Sequence, residues 1–214
     1  MSEIGLRNDV YRRPLATALD RLGISSGWKC VDVGAGAGDV SIALAEVVGR
    51  TGRVYSVDIN PEARDLVAAA ASSYSQVVAI TQAAEDLLLP ELVDLAFCRF
   101  LLMHVADPSF VLSRMRAVVR AGGFIVAQEP ITSAGRIGGK PISAPAAINQ
   151  DVGCFLPRFV LDAGLEPVDM WAEAPAGIGA GPVASYLASI TGVDPGDEPI
   201  VLPPLVTVIA KVIG

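Results

Sequence analysis

The spacing of apolar residues changes along the chain in a regular way. Leu15, Ala18, Leu19 and Leu22 recur at helical intervals between Pro14 and Gly23, predicting an amphipathic helix over residues 14 to 22. A short apolar run of Cys30, Val31 and Val33 then breaks into Gly34-Ala35-Gly36-Ala37-Gly38. Beyond these glycines, Val40, Leu44, Val47 and Val48 return to helical spacing and end at Gly49. The stretch reads as strand, glycine turn, helix.

The alternation then repeats. Arg53 to Ile59 is β-branched and aromatic, which predicts a strand, and Asn60-Pro61 offers a cap and a first-turn proline for a helix over about residues 61 to 73. Residues 76 to 81 predict a third strand. Leu92 to Phe100 predicts a fourth, whose nearly continuous apolar run suits a parallel strand covered on both faces. Residues 85 to 90 leave room for about one turn of helix. Asp107-Pro108-Ser109 opens a helix with Val111, Leu112, Met115, Val118 and Val119 inward, closed by Gly122-Gly123, and Phe124 to Gln128 is a fifth strand. Past Pro130 the pattern weakens. Residues 131 to 149, rich in Gly, Ser, Ala and Pro, predict a loop over the strand ends. A short helix over Pro157 to Ala163, strands at about 167 to 172 and 205 to 213, and a helix around Ala184 to Ile190 follow. Strands alternating with helices predict an α/β fold, a doubly wound sheet that binds its ligand at the strand C-terminal ends.

Composition narrows the partners. A chain of 214 residues fits one domain. With 16 Lys+Arg against 23 Asp+Glu the net charge is -7, so the surface repels phosphate backbones and nucleic acid is not an expected partner. Mean hydropathy is high, at +0.50. The two uncharged stretches, Leu66 to Ala84 and Ala174 to Val193, are nonetheless broken by Ser72 to Gln76 and by Pro and Gly, whereas a membrane span needs about 20 predominantly apolar residues. Met-Ser-Glu-Ile-Gly-Leu-Arg lacks the apolar core of a signal peptide, and a cytoplasmic location is expected. Cys30 and Cys98 lie in apolar strands as small buried hydrophobes, and with Cys154 they form neither a disulfide framework nor a zinc spacing. Asn149 and Asp151 have no further carboxylates to complete a set, so no metal is expected.

The glycine turn weakens two phosphate readings. The dinucleotide fingerprint requires a third glycine three residues after the second, where this chain has Asp39, and the Walker motif requires Lys followed by Ser or Thr. What remains is an acid, Asp32, then Gly-x-Gly-x-Gly, then Asp58 at the end of the second strand. A carboxylate there can accept hydrogen bonds from both ribose hydroxyls, each contributing about 1.5–3 kcal/mol. The combination points to an adenosine without a pyrophosphate.

On these residues the chain resembles the class I S-adenosylmethionine-dependent methyltransferases. The likeness covers about residues 15 to 165, and it rests on Val31 to Gly38, Val57-Asp58-Ile59, Ala84-Glu85-Asp86, Val93 to Val105 and Val119 to Gly123 in that order. Its nearest flavour is the small-molecule branch that includes the quinone and arsenite methyltransferases. The resemblance implies a Rossmann-like sheet of seven strands in the order 3-2-1-4-5-7-6, mostly parallel with the last strand antiparallel. It divides the single domain 1–214 into an N-terminal lid and helix (1–27), a cofactor-binding core (28–130), and acceptor-side loops with the last two strands (131–214).

Position by position, the resemblance implies S-adenosyl-L-methionine with its methionine part against Gly34, Ala35 and Gly36 and its ammonium near Asp32. Asp58 would hold the ribose and Ile59 pack on adenine. Where the family often has an Asp-Ala pair at the adenine edge, this chain has Ala83-Ala84, which leaves Glu85, a backbone carbonyl or water for the N6 contact. Arg99 and Phe100 would border the methionine moiety, and Tyr11 and Arg12 fall where the family has a cofactor lid. Each role has a plainer counterpart: Asp32 as a brace of the turn, Asp58 as a turn residue, Ile59 as core, Arg99 as half of an ion pair, and Phe100 as packing. His104, the only histidine, and Glu129 at the end of the fifth strand are the candidate general bases. Their counterparts are an architectural histidine and a solvated carboxylate or loop anchor. The implied function is methyl transfer to O, N or C of a small-molecule acceptor, in an assembly compatible with a homodimer. A cofactor-binding protein of the same fold without transfer comes second. An NAD-dependent oxidoreductase, disfavoured by Asp39, comes third.

Overall fold

The centre of the main sheet is β1 (Lys29–Val33), flanked on one side by β2 (Arg53–Asp58) and β3 (Val77–Thr81) and on the other by β4 (Val93–Arg99) and β5 (Val119–Pro130). These five strands are parallel. The sheet is completed at the β5 edge by β11 (Leu205–Lys211) and β8 (Glu166–Glu173), in the order β3-β2-β1-β4-β5-β11-β8. β11 runs antiparallel to both its neighbours, so the expected seven-stranded order holds. The computed structural model describes residues 3–142 and 147–214.

Helices cover both faces because the central strands are apolar on both. α2 (Arg12–Leu22) and α3 (Asp39–Val48) place Leu15, Leu19, Leu44 and Val48 against Val54, Phe97 and Val126. On the opposite face α5 (Pro108–Val118) and α6 (Val152–Asp162) place Leu112, Met115, Leu156 and Val160 against Val31, Val57 and Val208. α4 (Pro61–Ala70) starts as expected, with Pro61 in its first turn and the Asn60 side chain accepting from the Glu62 N–H. Among the described residues, no helix is long and apolar enough to cross a membrane.

Besides an early switch from α5 to β5 at Val119, where the helix was expected to run to Gly122-Gly123 and the strand to start at Phe124, three features depart from the sequence reading. A helix α1 (Glu3–Val10) precedes the expected one and buries none of its residues fully. α6 begins at Val152, five residues before Pro157, which lies inside it. The start is fixed from outside the helix, since the Asp151 carboxylate accepts from the Ser133 N–H and the Thr132 hydroxyl. Third, the expected loop after Pro130 contains β6 (Arg136–Ile137) and β7 (Lys140–Pro141). With β9 (Ala176–Ile178) and β10 (Pro199–Val201) they form a second, antiparallel sheet in the order β7-β6-β10-β9. Residues 143 to 146 of that loop lie outside the described residues. α7 (Pro182–Thr191) packs on α1, and Tyr11, Ile142, Tyr186, Leu187, Ile200 and Leu202 make a separate apolar cluster above the strand ends.

Candidate functional site

The chain turns sharply at the end of β1 because the N–H groups of Gly34 and Ala35 both donate to the Val57 carbonyl, at 2.8 and 3.0 Å. Gly34 has φ +77, and a Cβ there would lie 2.9 Å from Leu101 Cδ1, so this residue can be nothing larger without displacing its neighbour. At Gly36, φ is +53 and nothing stands within 4 Å of where a Cβ would be, leaving the backbone open to approach. Its N–H donates to Asp58 Oδ2 at 2.8 Å, while Asp58 Oδ1 accepts from Asn60 N at 2.9 Å. Each oxygen thus holds one backbone donor and retains capacity for another.

Asp32 lies beneath the turn. It is buried, and the Ser41 hydroxyl donates to its Oδ2 at 2.6 Å while lying 2.8 Å from the Ser56 hydroxyl. Burial pushes the Asp32 carboxyl up to about 6, with the Ser41 hydrogen bond pulling the other way. The arrangement braces the first turn of α3 to β1 and β2. Arg99 is also buried. It forms an ion pair with Asp39, at the first position of α3, and donates to the Tyr11 carbonyl at 3.3 Å and to Asn8 Oδ1 at 3.4 Å. Burial draws its pKa down to about 10. The acid at the missing third-glycine position is therefore one end of a tie between the turn and the N-terminal helices. Tyr11 is a buried strut, its hydroxyl donating to the Pro203 carbonyl at 2.9 Å and its ring edge-on to Phe100 and Tyr186. Arg12 is exposed and paired with Asp9.

Two cavities open on either side of residues 100 to 105. The first, of about 170 Å³, is bordered by Gly34, Asp58, Ile59, Ala84, Glu85 and His104 from among the expected residues, with Gln82 and Leu101 in addition. Ile59 is 70% exposed there, an apolar face left open among the described residues. The second, of about 150 Å³, is bordered by Arg7, Phe100, Met103, His104, Thr132 and Tyr186, with Ile190 and Pro203 behind. His104 borders both. Tyr11, Asp32 and Arg99 border neither, and act on the cavities through the residues they hold.

The dividing segment is held from two directions. Glu129, completely buried, accepts from the N–H groups of Leu101 and Leu102 at 2.8 Å through Oε1, while Oε2 has no partner among the described residues. Burial pushes its carboxyl up to about 7, and the N–H groups of the same segment pull it down. Of the plainer roles weighed for Glu129, a solvated carboxylate is thereby corrected to a buried anchor. From the other side Asn149 donates through Nδ2 to the carbonyls of Leu102 and Val105, at 3.2 and 2.6 Å, and its N–H donates to Met103 at 3.0 Å. Phe100, where the segment leaves β4, adopts φ 54, a left-handed conformation unusual for a bulky residue, and its N–H donates to the Gln128 carbonyl. His104 is exposed, and its pKa is lowered by partial burial and then by Arg7, which keeps the imidazole neutral and able to accept a proton at neutral pH. Among the described residues there is no group of three His, Cys, Asp or Glu side chains placed to hold a metal ion.

Gln82 was not singled out from the sequence, and Asn149 was weighed only as a metal ligand beside Asp151, not as a brace of this segment. Gln82 stands one residue beyond β3, where the strand-end rule could have found it. Asn149 sits in a Ser-, Ala- and Pro-rich stretch with no local signal, since its partners lie more than forty residues away.

The sequence and the fold have known counterparts. The family described as a methyltransferase domain matches residues 31–127. A demethylmenaquinone methyltransferase of Bacillus licheniformis is 33% identical over 109 residues, which are 50% of this chain and 47% of that protein. A second, of Lysinibacillus sphaericus, is 33% identical over 127 residues, 59% of this chain and 51% of that protein. The chain thus spans about half the length of the curated relatives it matches. The crystal structure of a SAM dependent methyltransferase from Aquifex aeolicus superposes with a TM-score of 0.68 at 15% identity, covering 100% of both chains.

Proposed function

We propose that the chain is a class I S-adenosylmethionine-dependent methyltransferase, which moves a methyl group from S-adenosylmethionine to O, N or C of a small molecule held in the second cavity. The observation that carries this reading is the pair of cavities sharing one wall, with His104 facing both. A transferase needs its donor and acceptor sites to adjoin.

The residues present suit the cofactor. Asp58 keeps an acceptor site on each carboxylate oxygen for ribose hydroxyls, Gly36 leaves its backbone open, and Ile59 and Ala84 offer apolar surface to a purine. Gln82 and Glu85 put polar groups at the edge of the same cavity, where Ala83 supplies none; the Glu85 carboxylate suits the adenine amine as an acceptor. Asp32, Ser41 and Arg99 position the turn and the start of α3. Arg99 and Phe100 flank the turn on the β4 side. When bound, S-adenosylmethionine supplies an electrophilic methyl group on a sulfonium sulfur.

The chain contributes orientation and proton management. Glu129 and Asn149 fix the segment that separates the cavities, and positioning of this kind can supply about 7–11 kcal/mol of barrier reduction in well-aligned cases. His104 removes the proton from a hydroxyl or amine acceptor, a contribution of about a hundredfold or more. Glu129, with Oε1 committed to the backbone, is a positioning residue rather than the first-choice base. Calorimetric titration with S-adenosylmethionine, S-adenosylhomocysteine and NAD tests the cofactor. Micromolar binding of the first two and none of NAD is expected, and binding of NAD alone would overturn the reading. Formation of S-adenosylhomocysteine on adding candidate acceptors tests the transfer.

A further inference from the structure

The second cavity contains a cation that has no ion-pair partner among the described residues. Arg7 reaches into it from α1, with its guanidinium 4.7 Å over the Phe100 ring. Its Nε is buried without a hydrogen-bond partner, and no ion pair among the described residues engages it. Arg99 is paired with Asp39, and Arg114, whose Nε is likewise unpartnered, donates through Nη2 to the Leu87 carbonyl; Arg7 has neither provision among the described residues and faces a cavity. The acids that influence Arg7 do so at longer range. Glu3 is exposed at the rim, and Glu129 lies behind the cavity with Oε1 occupied by backbone. Burial lowers the Arg7 pKa, which marks a charge taken from water without full compensation. Around it the lining is a Tyr186 phenol and the apolar surfaces of Phe100, Met103 and Ile190.

Resting on the reading of this cavity as the acceptor site, we propose that the acceptor is a single-ring aromatic carboxylate whose anionic group is held by Arg7. A cavity of about 150 Å³ is of the size that takes up one benzene ring. The planar guanidinium can meet a carboxylate with two parallel hydrogen bonds, and the ring then lies on Phe100 and Met103, with its remaining substituents facing the wall that carries His104.

The test uses the whole chain saturated with S-adenosylhomocysteine and, as probes, salicylate, 4-hydroxybenzoate and anthranilate, each titrated against its own amide. At least one acid should bind about tenfold or more tightly than its amide, the effect expected of one charge-assisted contact. Arg7→Gln should bring that ratio to about one without altering S-adenosylhomocysteine affinity, and Arg7→Lys should retain part of it. Equal binding of acids and amides, no binding of any acid, or a ratio that survives Arg7→Gln would overturn the proposal. Failure of S-adenosylhomocysteine to bind would count against the transferase reading instead, and the acid-to-amide ratio of the protein alone would still decide the role of Arg7.

Discussion

The two cavities meet at His104 but are built in opposite ways. The first lies at the ends of adjacent parallel strands, and its residues come from short contiguous pieces: Gly34 after β1, Asp58 and Ile59 after β2, Gln82 to Glu85 after β3. Backbone hydrogen bonds of the sheet itself fix where these pieces stand. The second is assembled from α1, the 100–105 segment, Thr132, α7 and Pro203, parts separated by most of the chain and joined by the Tyr11–Tyr186–Leu187 cluster. A site for a constant ligand can be dictated by local backbone geometry. The second cavity, proposed to take the acceptor, depends on packing between distant elements.

The sharpest way to break this contrast is to remove what both cavities share. Glu129→Ala leaves the N–H groups of Leu101 and Leu102 buried without an acceptor, at about 1–3 kcal/mol each, and should lower stability to urea by about 4 kcal/mol. Ligand affinity should fall at both sites. Glu129→Gln, which keeps an acceptor at Oε1, isolates the charge. Since burial raises the folded carboxyl to about 7, the unfolded chain ionises first; wild-type stability therefore declines as pH rises from about 4.5 to about 7 and is level above. The difference from Glu129→Gln over that window should be about 3 kcal/mol by chemical denaturation. A flat difference would mean that Glu129 does not titrate in that range.

Substitutions confined to one side should sharpen the contrast. Asp58→Ala should weaken S-adenosylhomocysteine binding by about a hundredfold in calorimetry, through lost charge-assisted hydrogen bonds, while leaving the second cavity's ligand preferences intact. His104→Gln should reduce turnover of a hydroxyl or amine acceptor by ten- to a hundredfold with cofactor affinity unchanged. Full turnover in that variant would remove His104 from proton transfer.

The sequence is readable where the information is local. Gly34 to Gly38, Asp58, and the Asn60-Pro61 cap each announce their geometry within a few residues, and the structure gathers Gly34, Asp58, Ile59, Ala84 and Glu85 around one cavity. Arg7 and α1 escaped because that helix has little amphipathic pattern and rests on α7, whose sequence lies far away. The small sheet escaped because strands of two or three residues are too short to show a period of two. Glu129 could be placed at a strand end, but its complete burial follows from the N–H groups of Leu101 and Leu102, which no property of Gln128-Glu129-Pro130 announces.

Arg99 grips Asp39 beside the glycine turn with one part of its guanidinium and residues 8 and 11 with the rest. A ligand that settles against the turn thereby also steadies the helix that carries Arg7. Under the proposed transfer, this tie predicts an ordered arrival, nucleoside first and acceptor second. S-adenosylhomocysteine should then inhibit competitively against S-adenosylmethionine and non-competitively against the acceptor, and Arg99→Met should turn that compulsory order into a random one.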